Sequence, residues 1–449
     1  MSPFRDRVGV RSVSLRTIVL FCLAKALIVC VIGIVYGSIA VHRLEVPNGI
    51  QQFLVNPPSS SRRPSVAYVV TITGCGGSEK DLKRGYGVQQ AMALVVQGAG
   101  VLSHSVHLAH VTSKYDYIMY AIVHPSASQC SMGLSALGYT TLIRNTPFDR
   151  ENVNNEYFRS VVDGASCCGA KEYIKLYAYT LVEHEVAVVM DLDSLILKPF
   201  DMMFDAMLSS SSLSSEILSS VPIHRGIHHN SARTTNSTST NDVDGIGAFF
   251  TRDYNMIGEG NEEFAGVQGG FLMVRPSERV FQEYIDIVLE GNYIENRGWG
   301  GKYGWAFGGA QIQGICAYFY GMIHPEQGVE LDRCKVNAMV DSPHFKSGKC
   351  RDGRSTCEDC RLTPLEDVMS VHFTLCGKPW ECKISWDSEN QHLCSSLHRE
   401  WFRVRRSFEE SRIDNVSLRQ LPNLVDGAFQ PETYFGYCTG PGGYIPIKV

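Results

Sequence analysis

Apolar residues are distributed along this chain in three different ways. From Thr17 to Val41 they run almost unbroken, interrupted only by Lys25 and Ser38. Such a run is long enough for a helix to cross the ~30 Å hydrocarbon layer of a bilayer. From 42 to 65 they show no period. Pro47, Pro57, Pro58, Pro64 and the serines Ser59 to Ser61 make a stem that buries too little surface to offset its ordering entropy. Beyond the stem, short β-branched runs alternate with stretches of helical spacing. Val66 to Ile72, ended by Gly74, Gly76 and Gly77, reads as a buried strand. Tyr117 to Val123, Tyr139 to Ile143, Val186 to Met190 and Gly270 to Val274 read the same way. Helical spacing covers Gly87 to Gly98, Ser126 to Leu137, an amphipathic stretch from Ala170 to Leu181, and Ser277 to Leu289 with Ser277 as its N-cap. An aromatic helix is expected from Gln311 to Tyr320, after a glycine- and tryptophan-rich stretch from Gly291 to Gly309. Alternation of this kind predicts an α/β fold whose parallel sheet is covered on both faces. Between Ser209 and Asn241 the pattern collapses into serine, threonine and asparagine, which predicts a solvated, disordered insertion. Order resumes near Ala248 to Tyr254, and no internal repeat is present.

Charge and cysteine content sharpen the topology. Arg5, Arg7, Arg11 and Arg16 precede the apolar run against the single acid Asp6, a bias that keeps the N-terminus cytoplasmic and sends the rest across the membrane. A cleaved signal peptide, with Ser38 and Ala40 as the small residues before the cut, is the competing reading. The long positive lead and long apolar run favour a signal-anchor, and either topology leaves the bulk of the chain luminal. The 449 residues carry a formal charge of −5, which leaves no basic footprint for nucleic acid. Of the 15 cysteines, Cys22 and Cys30 lie in the apolar run and seven crowd between Cys334 and Cys394. In a reducing cytosol Cys357-x-x-Cys360 would suggest zinc; in an oxidising lumen the cluster predicts disulfides. An odd number outside the anchor leaves at least one thiol free or paired outside the chain. Asn236 and Asn415 open N-glycan acceptor patterns suited to the same compartment.

Two segments carry candidate chemistry. The strand ending at Met190 runs into Asp191, Leu192 and Asp193, two acids one residue apart. Ligands of open α/β sheets gather beyond the carboxyl ends of the strands. Paired carboxylates there are hard oxygen ligands for Mg²⁺ or Mn²⁺, which in turn bind diphosphate oxygens. An Asp-x-Asp alone is equally a polar turn, but the buried strand before it and the apolar run after it favour a site. Far downstream, His372 offers a ring nitrogen to a metal, and Lys378, six residues on and next to Pro379 and Trp380, offers a point charge to a phosphate.

Taken in order, these segments resemble the glycogenin-like retaining glycosyltransferases, glycosyltransferase family 8, from about Val66 to about Trp380. The resemblance implies a GT-A, Rossmann-like nucleotide-diphospho-sugar transferase fold, a Mn²⁺ or Mg²⁺ ion, and a UDP-sugar donor whose anomeric configuration is retained. Asp191, Asp193 and His372 match the metal ligands. Lys378 and Lys175 match lysines that contact the donor phosphates. Ile72 and Thr73 fall where the family cups the uridine. Gln268, Gly269 and Gly270 match the segment lining the sugar pocket, and Leu192 and Gly377 complete the donor-binding set. Gln313, followed by Gly314, matches the glutamine near the sugar face opposite the leaving group, and joins Asp193 and Lys378 as a catalytic candidate. Several positions depart from the family: Ile312 stands for the acid before that glutamine, Ala317 for an asparagine after it, Gln268 for the donor-pocket asparagine, Leu375 for a glycine and Leu82 for a tyrosine. A branch with a different substrate accounts for these departures.

The resulting expectation divides the chain into a cytoplasmic tail (1–16), a transmembrane signal-anchor (17–41), a stem (42–65), a catalytic domain (66–385) and a C-terminal extension (386–449). The catalytic domain carries the serine-rich insertion at 209–242, and a cysteine-rich segment spans 334–394. The expected activity is hexosyl transfer from a nucleotide sugar to a glycan, protein or lipid acceptor, in the Golgi or another secretory membrane. Without a carboxylate at 312 a covalent double displacement lacks an obvious nucleophile, so Gln313 is expected to stabilise an oxocarbenium-like cation as a dipole. Two alternatives belong to other classes: an inactive luminal lectin-like or scaffolding protein that keeps the fold, and a metal-dependent phosphohydrolase indifferent to acceptor.

Overall fold

A computed structural model of the chain describes residues 63–75, 88–165, 168–209, 219–224, 245–303, 307–382, 392–412, 437–438 and 443–445. The expected anchor, the stem up to residue 62, most of the serine-rich insertion, Leu82, Asn236 and Asn415 lie outside the described residues.

In chain order the strands are β1 (Ser65–Ile72), β2 (Asp116–Val123), β3 (Thr140–Ile143), β4 (Val186–Met190), β5 (Ser194–Ile196), β6 (Ala248–Arg252), β7 (Val267–Val274), β8 (Tyr293–Ile294), β9 (Gly298–Trp299), β10 (Gly328–Glu330) and β11 (Ser370–His372). The helices are α1 (Val88–His110), α2 (Ser131–Ala136), α3 (Glu156–Val161), α4 (Asp201–Leu208), α5 (Glu278–Glu290), α6 (Ile312–Tyr318) and α7 (His392–Arg412). A seven-stranded sheet runs in the order β10-β6-β7-β4-β1-β2-β3. Its strands read as continuous apolar runs because both faces are covered. Along β1, Ala67 and Val69 face a layer built from the 3-10 helix Gly169–Thr180, α5 and α6, while Val66, Tyr68, Val70 and Ile72 face α1, α2 and α4.

The sheet is not wholly parallel. β7 runs antiparallel to both β4 and β6, with Met190 opposite Phe271 and Val188 opposite Met273. A strand buried on both faces has the same apolar pattern in either direction, so the reversal leaves no mark on the sequence. It has a consequence for the site: the start of β7 lies beside the end of β4, and Asp191 donates its backbone N–H to the Gly270 carbonyl at 3.1 Å.

Two helices differ from their expected form. The stretch read as an α-helix from Ala170 to Leu181 is a 3-10 helix over Gly169–Thr180. The stretch from Ser126 splits into a 3-10 turn, Pro125–Cys130, and the short α2. α5 begins as expected, with the Ser277 hydroxyl accepting from Val280 N–H at 3.3 Å, and ends on Gly291 in the left-handed conformation. α1 is apolar and long enough over Met92–His110 to cross a membrane, yet 61% of that window is buried in the core.

All seven cysteines of the clustered segment form disulfides: Cys334–Cys360, Cys350–Cys357, Cys376–Cys394 and Cys382–Cys438, the last reaching outside the cluster. The members of Cys357-x-x-Cys360 therefore go to different partners. Cys75–Cys130 closes the loop after β1, Cys168 is also disulfide-bonded, and Cys316 is free and buried. Helix α7 has no counterpart in the sequence-based expectation. It packs Leu393, Leu397, Trp401, Phe402 and Phe408 into a third apolar cluster with Val96 and Val101 of α1.

Candidate functional site

The chain turns sharply at Asp191, where Ser194 N–H donates to the Asp191 carbonyl at 3.2 Å, and continues into β5. β5 pairs antiparallel with β11 and sets His372 opposite Ser194. Phe373 N–H then donates to the Asp193 carbonyl at 2.8 Å. This pairing brings together residues that lie far apart in sequence. His372 Nε2 lies 3.3 Å from Asp193 Oδ1 and 3.8 Å from Asp191 Oδ2. One ligand atom from each of the three residues falls within 4.8 Å of the others. Asp193 and His372 are buried while the Asp191 side chain is 34% exposed, so the group opens on the Asp191 side. Two carboxylates and an imidazole suit a Mg²⁺ or Mn²⁺ ion, and the spacing fits one ion held by all three.

The imidazole is held from behind. Gly270 N–H points at the Gln268 side chain at 2.6 Å, which identifies the facing atom as the amide oxygen. The same oxygen accepts from Asn337 Nδ2 at 3.1 Å and lies 3.2 Å from His372 Nδ1. An amide oxygen only accepts, so Nδ1 carries a proton, and Nε2, facing the acids, would be the nitrogen to bind a metal once it gives up its own proton. Asn337 is itself fixed, bonding Thr251 Oγ1 at 3.0 Å and, through its backbone, Ser370 Oγ at 2.8 Å. Gly270 leaves no slack, because a Cβ there would lie 2.3 Å from His372 Cε1.

Two lysines neutralise the acids. Lys175 Nζ lies 3.0 Å from Asp191 Oδ1 and 3.2 Å from Glu172 Oε1, and donates to the Gly269 carbonyl at 2.8 Å. Burial alone would lower the Lys175 pKa, but the Asp191 and Glu172 charges raise it above the ordinary lysine value. Lys378 pairs with Asp193. Burial would raise the Asp193 carboxyl, yet the His372 and Lys378 charges hold it well below the usual carboxylate range. His372 is pushed the other way: burial disfavours its cation, but Asp193 and Asp191 raise its pKa. Lys378 rides on a loop in which Gly377 adopts φ +72° and offers its carbonyl to His398 Nε2 of α7 at 3.1 Å.

Asp191, Asp193, His372, Lys175, Lys378, Gln268, Gly269 and Gly270 are thus brought to one place. Gln313, on α6, stands behind Gly269, where a Cβ would lie 3.2 Å from its Cγ. Ile72 ends β1, the strand next to β4, and Thr73 follows it; the Ile72 side chain is core, and its carbonyl accepts from His124 N–H at 2.8 Å. Leu192 packs both its side chain and its carbonyl toward α1, where a Cβ on Gly98 would lie 2.6 Å from the Leu192 carbonyl oxygen. Gln268, expected in the donor pocket, has its amide oxygen engaged behind the metal-facing histidine instead. Sequence reasoning passed over Asn337 and Glu172. Asn337 leaves no sequence signal, since it sits in a loop. Glu172 does leave one: residues three apart eclipse on a 3-10 helix, which puts it on the face of Lys175.

No protein-family model and no curated protein matches the sequence. Among solved structures the chain is similar to glycosyltransferases. The galactosyltransferase LgtC, in complex with donor and acceptor sugar analogs, has 10% identity and a TM-score of 0.38 over 79% of this chain and 99% of its own. Mouse xyloside xylosyltransferase 1 has 12% identity and a TM-score of 0.36 over 69% of this chain and 98% of its own. The glycosyltransferase GlyE of Streptococcus pneumoniae TIGR4 has 12% identity and a TM-score of 0.36 over 81% of this chain and 67% of its own. These likenesses are distant.

Proposed function

We propose that this protein is a metal-dependent glycosyltransferase that moves a hexose from a UDP-sugar to an acceptor with retention of configuration. The observation that carries the reading is the meeting of two strand-tip acids with an imidazole from β11, flanked by two lysines, at the carboxyl end of β4. Asp191, Asp193 and His372 would hold a Mn²⁺ or Mg²⁺ ion, which would supply positive charge to a diphosphate leaving group. Lys378, already at the acid pair, is placed to give a charge-assisted hydrogen bond to the same phosphates, whereas the three N–H groups of Lys175 are taken by Asp191, Glu172 and the Gly269 carbonyl, so that Lys175 holds Asp191 in place. Gly269 lets its backbone pack directly against Gln313, where even a Cβ would lie 3.2 Å from the Gln313 Cγ. Ile312 is buried and apolar, so α6 offers no carboxylate before Gln313, and in this reading the amide dipole of Gln313 stabilises a developing cation. Retention and the UDP donor rest on the motif resemblance.

The same proposal includes a secretory-pathway membrane location with the N-terminus cytoplasmic and the catalytic domain luminal, a reading supported by the Arg-led apolar run and the disulfides. Purified full-length protein in detergent, given Mn²⁺ and a panel of UDP-hexoses, should release UDP faster when a suitable acceptor is added. Asp193→Ala should abolish that release. UDP-sugar consumption that ignores acceptor would mark a hydrolase, and undiminished release by Asp193→Ala would refute the metal site.

A further inference from the structure

The sheet edge that carries the metal-facing acids has a second feature, which the proposed transfer step does not use. β1, β2, β3 and β4 run parallel, so their carboxyl ends share one edge. Beyond the ends of β2 and β3 that edge opens into a cleft of about 580 Å³, within the size range of a small-molecule site. It is lined by His124, just after β2, by residues 145–150, just after β3, and by Asp163, Ala170 and Tyr177. β4 and β2 flank β1, which puts the start of the cleft two strand spacings, about 10 Å, from the acids. Ala170 precedes Lys175 by five residues on the 3-10 helix, again about 10 Å. The cleft therefore lies outside the contacts of the metal group but on the same open edge.

The lining is polar without a spare cation. His124 Nδ1 accepts from Ser126 N–H at 3.2 Å, so the neutral ring carries its proton on Nε2 and offers a donor. Burial and the nearby Lys171 charge lower the His124 pKa, which keeps the ring neutral. Arg150 is matched by two acids, with Nη2 2.9 Å from Glu151 Oε1 and Nη1 3.1 Å from Asp163 Oδ2. Of the cations at the margin, Lys171 donates to Ser126 Oγ at 3.1 Å and Arg144 to the Ile143 carbonyl at 2.9 Å. The Asp163 side chain is 55% exposed, so its carboxylate keeps lone pairs for further donors. Phe148 and Tyr177 add aromatic surface. A phosphate or carboxylate finds no uncommitted cation here. A neutral molecule with hydroxyls on its rim and C–H groups on its faces meets both the carboxylates and the rings. We propose that this cleft is an acceptor subsite, holding a neutral sugar unit of an oligosaccharide acceptor away from the reacting hydroxyl. The assignment rests on the nucleotide-sugar reading and adds to it the class of acceptor.

A glycan array probed with the full-length protein in detergent tests this, followed by titration with the oligosaccharide bound most strongly. The array carries neutral oligosaccharides of the lactose, maltose and chitobiose series beside their sialylated and sulfated forms. Wild type should bind a neutral oligosaccharide, and its acidic form more weakly. Asp163→Ala, and Thr146→Trp, which fills the cleft from the loop after β3, should each weaken that binding by about tenfold or more, the scale of a hydrogen bond to a charged group. UDP binding in Mn²⁺ should stay within about twofold in both variants, which also reports that they fold. Binding of no neutral oligosaccharide, preference for the acidic forms, or glycan binding unchanged in both variants would overturn the assignment. Equal weakening of UDP would give the cleft to the nucleotide instead. Wild type that binds a neutral oligosaccharide but not UDP would refute the nucleotide-sugar reading and, with it, the acceptor role.

Discussion

Gln268 has contacts that its residue type and motif position do not announce. By motif it belongs to the sugar pocket, yet its amide oxygen takes three donors on the far side of His372: Gly270 N–H, Asn337 Nδ2 and the Nδ1 of the histidine. A partner in that position fixes the ring and its tautomer, and loss of such a partner usually costs about 10- to 100-fold in metal affinity. Gln268→Ala is expected to weaken Mn²⁺ binding by that factor while leaving Asp191, Asp193 and His372 in place. Mn²⁺ titration of the variant checks this, and unchanged affinity would show that the imidazole needs no such support. The acids, the histidine and both lysines were legible as residue types at motif spacing. Asn337 was not, because its contribution comes from a loop that tertiary packing carries to Gln268. Glu172 was legible only if the helix around it was read with a period of three.

Elements decide which of these residues meet. Strands β1, β2, β3, β4 and β7 and most helix positions followed from apolar period, but the short β5 and β11 and the antiparallel direction of β7 did not, and that direction sets Gly269 and Gly270 against Asp191. The last helix, α7, was missed because a charged, aromatic helix of low hydropathy resembles an exposed tail. It supports the Lys378 loop through His398, which is 1% exposed and bonds the Gly377 carbonyl. Burial disfavours the imidazolium and lowers the His398 pKa to about 4. An unfolded histidine titrates near 6.5, so between these values the unfolded chain binds more protons and the folded state loses stability as pH falls. The full difference is about 3 kcal/mol, reached near pH 4 and absent above about pH 7. Asp253 works in the opposite sense, since burial and the neighbouring Asp341 charge push its carboxyl up to about 6. The difference between wild type and His398→Gln therefore isolates the histidine. Denaturant titrations at pH 7.5 and pH 4.5 should show wild type losing more stability than the variant; equal losses would mean that His398 is solvated in the folded state.

At the scale of the whole molecule, the cysteines join the C-terminal part of the chain to the site. Cys376–Cys394 and Cys382–Cys438 span 18 and 56 residues and bracket Lys378. Cysteine content alone pointed to an oxidised, loop-rich segment, while connectivity depended on the fold. In the chain-entropy picture each crosslink of this span contributes about 3–4 kcal/mol. Replacing Cys376 and Cys394 together by serine should lower Tm and weaken UDP binding as the Lys378 loop loosens. The same change at Cys350 and Cys357 should leave UDP binding intact, because that loop is remote in sequence from both lysines.

The central claim is that Asp191, Asp193 and His372 hold one divalent cation in common and that a nucleoside diphosphate completes its shell. Electron paramagnetic resonance of Mn²⁺ titrated into the full-length protein, with and without UDP, tests it directly. Wild type should bind one ion per chain, more tightly when UDP is present, and ¹⁵N-labelled histidine should perturb the bound-ion signal in wild type but not in His372→Gln. Asp193→Ala should leave the manganese free in solution. Bound manganese that persists in Asp193→Ala, or that shows no histidine coupling in wild type, would contradict the account.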